Sequence, residues 1–202
     1  MGTRHLTCVK VDGEYKVAQY GQWDGYPSGQ GKTILKFLHE MDRAHFEERV
    51  GACIFVSHEE ITRMYEEFGA ANGMIGMEDS KSFLRTYPEL HRDTGAEVLR
   101  IIYDNEGVIK LGNNIDFAGD SLFCEWAYVI DLDDNTFEVF VGFNQEPLSK
   151  DDRFYAQTKK HNPTKDDGYQ PVKLFVSYDL DDLPSMGEFL AYFTLDGGYD
   201  DK

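Results

Sequence analysis

The residues best suited to bind a ligand are concentrated near the N-terminus, in residues 19–31. Amide, carboxylate and aromatic side chains alternate there with four glycines and one proline. Aromatic rings beside a few polar groups are typical of pockets for small molecules. We therefore predict that this segment binds a small polar or anionic ligand, such as a nucleotide. The candidate residues are Arg4 for positive charge, Tyr20, Trp23 and Tyr26 for walls or stacking, and Gln19, Gln22 and Asp24 for hydrogen bonds.

A structural interpretation of the same segment stays open. Glycine and proline are frequent in turns, and Asp24 could bond to its own loop backbone while the aromatic rings pack into the core. The helix that is expected to follow would point free N–H groups at an anion, which favours the ligand hypothesis without requiring it. Loop composition does not separate the two interpretations.

Residues 28–33 (SGQGKT) match the end of a phosphate-binding P-loop, with Lys32 and Thr33 at the phosphate and magnesium positions. The complete motif requires a glycine five positions before Gly31, and this chain has Tyr26 there. The preceding strand is also expected to belong to a hairpin rather than to a parallel βαβ unit. These departures disfavour an NTPase.

The expected order of elements resembles the αββα fold of N-terminal-nucleophile hydrolases. In those enzymes an N-terminal Thr, Ser or Cys attacks the substrate and its own amine acts as the base. The resemblance would make Thr3 the nucleophile, with Arg4, Gln22 or Asp24 in support. That chemistry requires a chain processed to begin at Thr3, whereas a Met1-Gly2 start ordinarily loses only the methionine. We therefore interpret Thr3 as the first residue of a strand and assign no catalytic residue.

Composition restricts the classes of partner. The chain has 202 residues, with 20 basic against 37 acidic side chains, so its formal net charge is −17. Such a surface repels nucleic acid and anionic lipid, and the sequence has no apolar run long enough to span a membrane. We expect a soluble cytoplasmic protein without direct nucleic-acid or membrane binding. Its three cysteines, an odd number without a CxxC pair, are expected to be reduced and mostly buried.

The periodicities predict one α+β domain over residues 1–196 and a solvated tail at 197–202. Asp12-Gly13 predicts a type I′ hairpin, a stripe of apolar residues predicts a helix after residue 31, and capping boxes at Ser57 and Thr94 predict two more helices. The expected architecture is a layered, largely antiparallel sheet with helices packed on it, and αββα layering is one form of it. Further predicted elements are a loop at 70–79, a helix at 80–87, a long connection at 104–120, strands at 122–132 and 137–143 joined by a turn at 133–135, a loop at 145–171, a strand at 172–180 and a helix at 185–193.

Three segments resemble an uncharacterised family found in phages, bacteria and fungi: residues 1–4 (MGTR), 17–31 (VAQYGQWDGYPSGQG) and 124–142. The resemblance implies a shared site but no known activity, and Lys32 is not part of the family's pattern. The matching positions are Arg4, Gln19, Tyr20, Gln22, Asp24, Tyr26, Pro27 and Gly29.

A phage-like origin suggests an alternative function, an acidic inhibitor of host defence that mimics DNA or sequesters a signalling nucleotide. Such an inhibitor would have a host protein as its partner. Mimicry predicts that carboxylates cluster on one face. An amide hydrolase that uses Thr3 is the enzyme alternative, and no cofactor or metal site is predicted. The candidate carboxylates for mimicry are Asp131, Asp133, Asp134, Asp179, Asp181 and Asp182.

Overall fold

The computed structural model describes residues 2–70, 76–159 and 168–195. These ranges form a mixed α+β structure, which confirms the predicted class, and none of their helices is long and apolar enough to cross a membrane. The expected tail at 197–202 and parts of the loops expected at 70–79 and 145–171 lie outside the described residues. The strands are β1 (His5–Val11), β2 (Glu14–Gly21), β3 (Ile54–Phe55), β4 (Lys110–Leu111), β5 (Trp126–Asp131), β6 (Thr136–Val141) and β7 (Lys173–Asp179), and the helices are α1 (Lys32–Glu40), α2 (Arg43–Gly51), α3 (His58–Glu67), α4 (Met77–Thr86), α5 (Val98–Asp104) and α6 (Met186–Leu195).

Five strands form one sheet in the order β2-β1-β5-β6-β7, and the short strands β3 and β4 form a second. All neighbours in the large sheet are antiparallel except β1 and β5. Both predicted hairpins are present. Asp12 and Gly13 have φ of 55° and 76°, as a type I′ turn requires at its two central residues.

The two faces of the large sheet are covered differently. Val9, Val17 and Ile130 face a core built with α1, α2, α5 and α6. Alternate residues such as Leu6 and Cys8 face a smaller apolar cluster, which loops and short turns complete. Among the described residues the large sheet therefore has helices on one face and loops on the other, and the second sheet has only two strands. The αββα layering, with two large stacked sheets, is not seen in this part of the chain.

Local signals located some helices and missed others. Ser57 caps α3, since its side chain accepts a hydrogen bond from the amide of Glu60, as predicted. The expected cap at Thr94 is wrong: its hydroxyl bonds to the carbonyl of Pro88, and α5 begins only after a 3₁₀ turn, Gly95–Glu97. Helix α2 was missed because it buries few apolar side chains and has no marked apolar stripe.

The cysteines agree with the prediction, whereas the connection at 104–120 contains structure that was not predicted. The three cysteines are buried and unpaired, as expected. The long connection expected at 104–120 contains β4, which pairs in parallel with β3, and a 3₁₀ turn, Ile115–Gly119. A two-residue strand leaves no periodicity in a sequence, and its pairing decides whether it forms. Two further 3₁₀ turns are Pro88–Leu90 and Tyr155–Lys159, and Pro27–Gly31 forms a π-helical turn that leads into α1.

Candidate functional site

The glycine-rich loop, residues 21–31, is fastened to the sheet by its backbone. The amide of Gly25 donates to the carbonyl of Thr3 at 2.9 Å, and the hydroxyl of Tyr128 donates to the carbonyl of Gly25 at 2.7 Å. The side chain of Gln30 donates to Trp23 O and accepts from the amide of Ala96 at 2.9 Å. The loop is therefore a rigid turn held by β1, β5 and the 3₁₀ turn after Thr94.

Close packing around His5 explains several of the glycines. A methyl group at Gly21, Gly25 or Gly95 would press into the side chain of His5, which is fully buried. Neither imidazole nitrogen has a hydrogen-bond partner in the described structure, and burial lowers the pKa of His5 to about 3. Thr7 lies on the same face of β1, and its buried hydroxyl also has no hydrogen-bond partner in the described structure.

Arg4 and Tyr20 lie on the face of the sheet that loops cover, and Gln22 contacts Tyr20. The Arg4 guanidinium lies over the Phe123 ring, 4.5 Å from its centroid, and its buried Nε has no hydrogen-bond partner among the described residues. The hydroxyl of Tyr20 donates to Gln22 Oε1 at 2.7 Å. Burial raises the pKa of Tyr20, while the positive charges of Arg4 and Arg92 act in the opposite direction. The negative charge of Asp93 also acts on Tyr20, so its hydroxyl lies among charges of both signs.

The other four candidates are dispersed. Gln19 is buried on the helix-facing side, where its Nε2 donates to His91 O at 3.2 Å. Trp23 is 46 % exposed, and its Nε1 donates to a carboxylate oxygen of Asp93. Asp24 is exposed, with φ of 56°, and its carbonyl accepts from the amide of Gln30, so its backbone closes the loop. Tyr26 is half-buried and starts the π-helical turn.

Two loops cover the outer edge of β2 and form a cleft where they meet. The amide of Asn114 donates to Ala18 O at 3.0 Å, and the amide of Gln22 donates to Arg92 O at 3.0 Å. These bonds satisfy backbone groups that an edge strand would otherwise expose. The cavity between the loops has a volume of about 190 Å³, and we call it the Tyr20 cleft. It is lined by Gln19, Tyr20, Ile61, Glu89, Leu90, Arg92, Gly112 and Asn114.

A second cavity adjoins the Tyr20 cleft. It has a volume of about 550 Å³, and we call it the outer cavity. Glu89 lines both spaces and is 9 % exposed. Burial raises the pKa of Glu89, against a hydrogen bond from its own backbone amide. The outer cavity is lined by Glu60, Arg63, Met64, Glu67, Tyr87, Glu89, Val108 and Lys110.

The alternative chemistries receive little geometric support. Thr3 is buried, and its carbonyl is occupied by the amide of Gly25. The hydroxyl of Thr33 donates to Gly29 O at 3.2 Å, so it closes a turn of its own helix instead of facing a phosphate. The described residues hold no cluster of three or more potential metal ligands.

The candidate carboxylates for DNA mimicry do gather at one end of the sheet, but basic and amide groups lie among them. Asp131 pairs with Lys10 at 3.0 Å and with Arg153 at 2.8 Å. The amide group of Asn135 donates to both Asp179 and Asp181. Asp133 accepts from the backbone amides of the first hairpin turn. Most of these carboxylates therefore hold turns together rather than forming a row of free charges.

No family model matches this chain, and no curated protein or solved structure is similar to it. The site is therefore defined by geometry. Sequence reasoning identified Gln19 and Tyr20 but missed Glu89, Arg92 and Asn114, because they lie some seventy or more residues further along the chain. The one available signal was Glu89 in a Tyr-Pro-Glu-Leu turn, which is too common a pattern to indicate a site.

Proposed function

We propose that this protein binds a small polar ligand with an anionic group in the Tyr20 cleft. The observation that carries the proposal is Arg92, an arginine with an exposed side chain that lines the cleft in a chain of net charge −17. Arg92 lines the cleft and is mostly exposed, and its one ion pair within the described ranges is a loose contact with Asp93, at 3.7 Å. Its guanidinium is therefore available for a carboxylate or a phosphate, which arginine binds with two parallel hydrogen bonds.

Neighbouring polar groups would fix the orientation of such a ligand. Tyr20 and Asn114 line the cleft together, and the amide of Tyr20 lies 3.4 Å from Asn114 Oδ1. The volume of about 190 Å³ is below the range of roughly 300–1,000 Å³ for drug-sized ligands. The portion of the ligand that the cleft holds is accordingly smaller than a complete nucleotide, which favours a small metabolite.

The proposal is tested by titrating ¹⁵N-labelled protein with phosphate, pyruvate, glutamate and adenosine monophosphate. We expect at least one probe to shift the amide resonances of Tyr20, Gln22, Arg92 and Asn114. Arg92→Gln should lower the affinity for that probe by about 10-fold or more, because a hydrogen bond to a charged group contributes about 1.5–3 kcal/mol. Arg85→Gln, an exposed arginine of α4 outside both cavities, is the matched control and should leave the affinity unchanged.

Two outcomes would contradict the proposal. One is the absence of any shift at these amides with every probe at about 10 mM, where a ligand of millimolar Kd is largely bound. The other is a probe that binds Arg92→Gln and the unaltered protein equally well.

A further inference from the structure

Glu89 is a buried residue whose carboxyl group has no counter-charge in the described fold. It forms the shared wall of the Tyr20 cleft and the outer cavity and is 9 % exposed. Its hydrogen bond is to its own backbone amide, and it has no ion pair with any described residue. Burial disfavours a carboxylate that has no counter-charge, so a cation supplied by a bound ligand would stabilise the charged form of Glu89.

None of the described basic residues that line the two cavities forms an ion pair with Glu89. Lys110 pairs with Glu60 at 2.8 Å, across the outer cavity. Arg63 and Arg92 are exposed at the two rims. The Tyr20 cleft is therefore lined by an exposed arginine and a buried glutamate that do not pair with each other.

We propose that Glu89 binds a cationic nitrogen of the ligand while Arg92 binds its anionic group, so that the ligand is a zwitterion such as a free amino acid or a dipeptide. This inference rests on the proposed function, because it assumes that the Tyr20 cleft is occupied. A protonated amine next to Glu89 supplies the charge that the fold lacks. The opposed charges of the cleft then match the ammonium and carboxylate of one small molecule.

The outer cavity extends the same argument. A free amino acid fits the smaller cleft, and the larger space beyond Glu89 has room for a longer side chain or a second residue. Its walls combine the Glu60–Lys110 pair with the apolar surfaces of Met64, Tyr87 and Val108. Such a lining suits an extended side chain that has an aliphatic stem and a polar end.

The experiment is a calorimetric titration with the twenty free amino acids and diglycine. The best binder is then compared with its N-acetyl derivative, which lacks the cation, and with the corresponding amine, which lacks the carboxylate. We expect each analogue to bind at least about 10-fold more weakly than the zwitterion, which corresponds to one lost charged contact. Glu89→Gln should lower the affinity for the zwitterion by a similar factor and leave the affinity for the N-acetyl derivative unchanged. Glu66→Gln, an exposed carboxylate of α3 that lines neither cavity, is the matched control and should change the binding of neither molecule.

The outcomes separate the two proposals. If the zwitterion and its N-acetyl derivative bind equally, and Arg92→Gln weakens both, the role of Glu89 is overturned while the anion site stands. If no amino acid, derivative or simple anion binds at the cleft, both proposals fail. If the amine binds as well as the zwitterion and Arg92→Gln has no effect, a cation site at Glu89 stands and the anion site fails.

A ligand-free measurement provides an independent check on Glu89. Removing an uncompensated buried charge should stabilise the protein, so we expect Glu89→Gln to raise Tm at pH 8 by about 2–4 °C. A carboxyl retained for a structural contact would behave in the opposite way. A fall in Tm for Glu89→Gln, with the Tm of Glu66→Gln unchanged, would therefore overturn the inference.

Discussion

At the scale of single residues, the glycines of the N-terminal segment are explained by the side chains that they allow to approach. Gly21 leaves room for the imidazole of His5, Gly25 for His5 Cβ and the carbonyl of Thr3, and Gly31 for Tyr128. A ligand-binding role is not needed to account for any of them. The polar candidates of the loop are likewise mostly engaged with backbone or neighbouring side chains, and the ligand hypothesis now depends on Tyr20 and the arginines beside it.

His5 makes stability depend on pH. Its pKa is lowered from 6.5 to about 3 by burial, so the unfolded chain takes up a proton at a higher pH than the folded one. The stability that comes from a neutral His5 is therefore complete above pH 6.5 and is lost as pH falls below it. Between pH 7.5 and pH 5 we expect a loss of about 2 kcal/mol in the free energy of unfolding from this residue, at 1.36 kcal/mol per pH unit.

The measurement compares urea unfolding of the unaltered protein with that of His5→Phe and His5→Gln across this pH range. Both variants should lose less stability than the unaltered protein as pH falls, even where their stability at pH 7.5 is lower. His58→Gln replaces an exposed histidine at the start of α3 and serves as the control, which should follow the unaltered protein. Parallel pH profiles for all four proteins would rule out the role of His5.

At the scale of elements, the Tyr20 cleft is assembled from β2, α3 and the turns that cover the β2 edge. Ile61 of α3 reaches the cleft, and Arg63 and Met64 line the outer cavity. Helix α3 is short, so its position depends on its first turn, where Ser57 satisfies the amide of Glu60. The cap of α3 is therefore coupled to the shape of both cavities.

Ser57→Ala should cost about 1 kcal/mol of unfolding free energy, the usual effect of removing a helix N-cap. Ser82→Ala, at an exposed position inside α4, is the matched serine control and should change stability by less than about 0.5 kcal/mol. Urea denaturation of both variants checks the prediction. Equal losses for the two would show that the hydroxyl of Ser57 does not act as a cap in solution.

At the scale of the whole molecule, one cluster of carboxylates at an end of the sheet is neutralised by basic side chains from distant parts of the chain. Asp131 has a fully buried carboxylate, which accepts hydrogen bonds from the amides of Asp133 and Asp134 and pairs with Lys10 and Arg153. Burial opposes its charge, but these bonds prevail and lower the pKa of Asp131. The cluster joins both hairpin turns to the loop that contains Arg153.

Removing the charge of Asp131 should therefore be costly. We expect Asp131→Asn to lose about 2 kcal/mol of unfolding free energy at pH 7, less than the roughly 3–5 kcal/mol of a fully buried pair, because Lys10 and Arg153 are partly exposed. Since the folded pKa lies below the unfolded value of 3.8, this stability is present above pH 3.8 and is lost as pH falls through the folded value.

Asp134→Asn provides the control for that prediction. Its side chain is 67 % exposed and lies 3.8 Å from Lys10, so its loss should cost less than about 1 kcal/mol. Thermal and urea unfolding at pH 7 distinguish the two variants. A loss at Asp131 no larger than the loss at Asp134 would show that the cluster contributes little.

The sequence by itself determined the elements whose signals are local. The hairpin at Asp12-Gly13, the second hairpin, helix α1 and the cap of α3 depend on residues a few positions apart, and all of them are present, although β5 begins at Trp126 rather than at residue 122. It also determined the mixed α+β class and the three buried thiols. These features follow from periodicity and turn chemistry, which act between neighbours along the chain.

Only the tertiary structure decided the candidate site. Gln19 and Tyr20 were identified from the sequence, but Glu89, Arg92 and Asn114 reach them because two distant loops bond to the open edge of β2. It also decided that His5 would be enclosed by glycines from three separate positions, with no hydrogen-bond partner for its imidazole among the described residues. The physical reason is the same in both cases: burial and hydrogen bonding depend on neighbours in space, which the order of residues along the chain does not reveal.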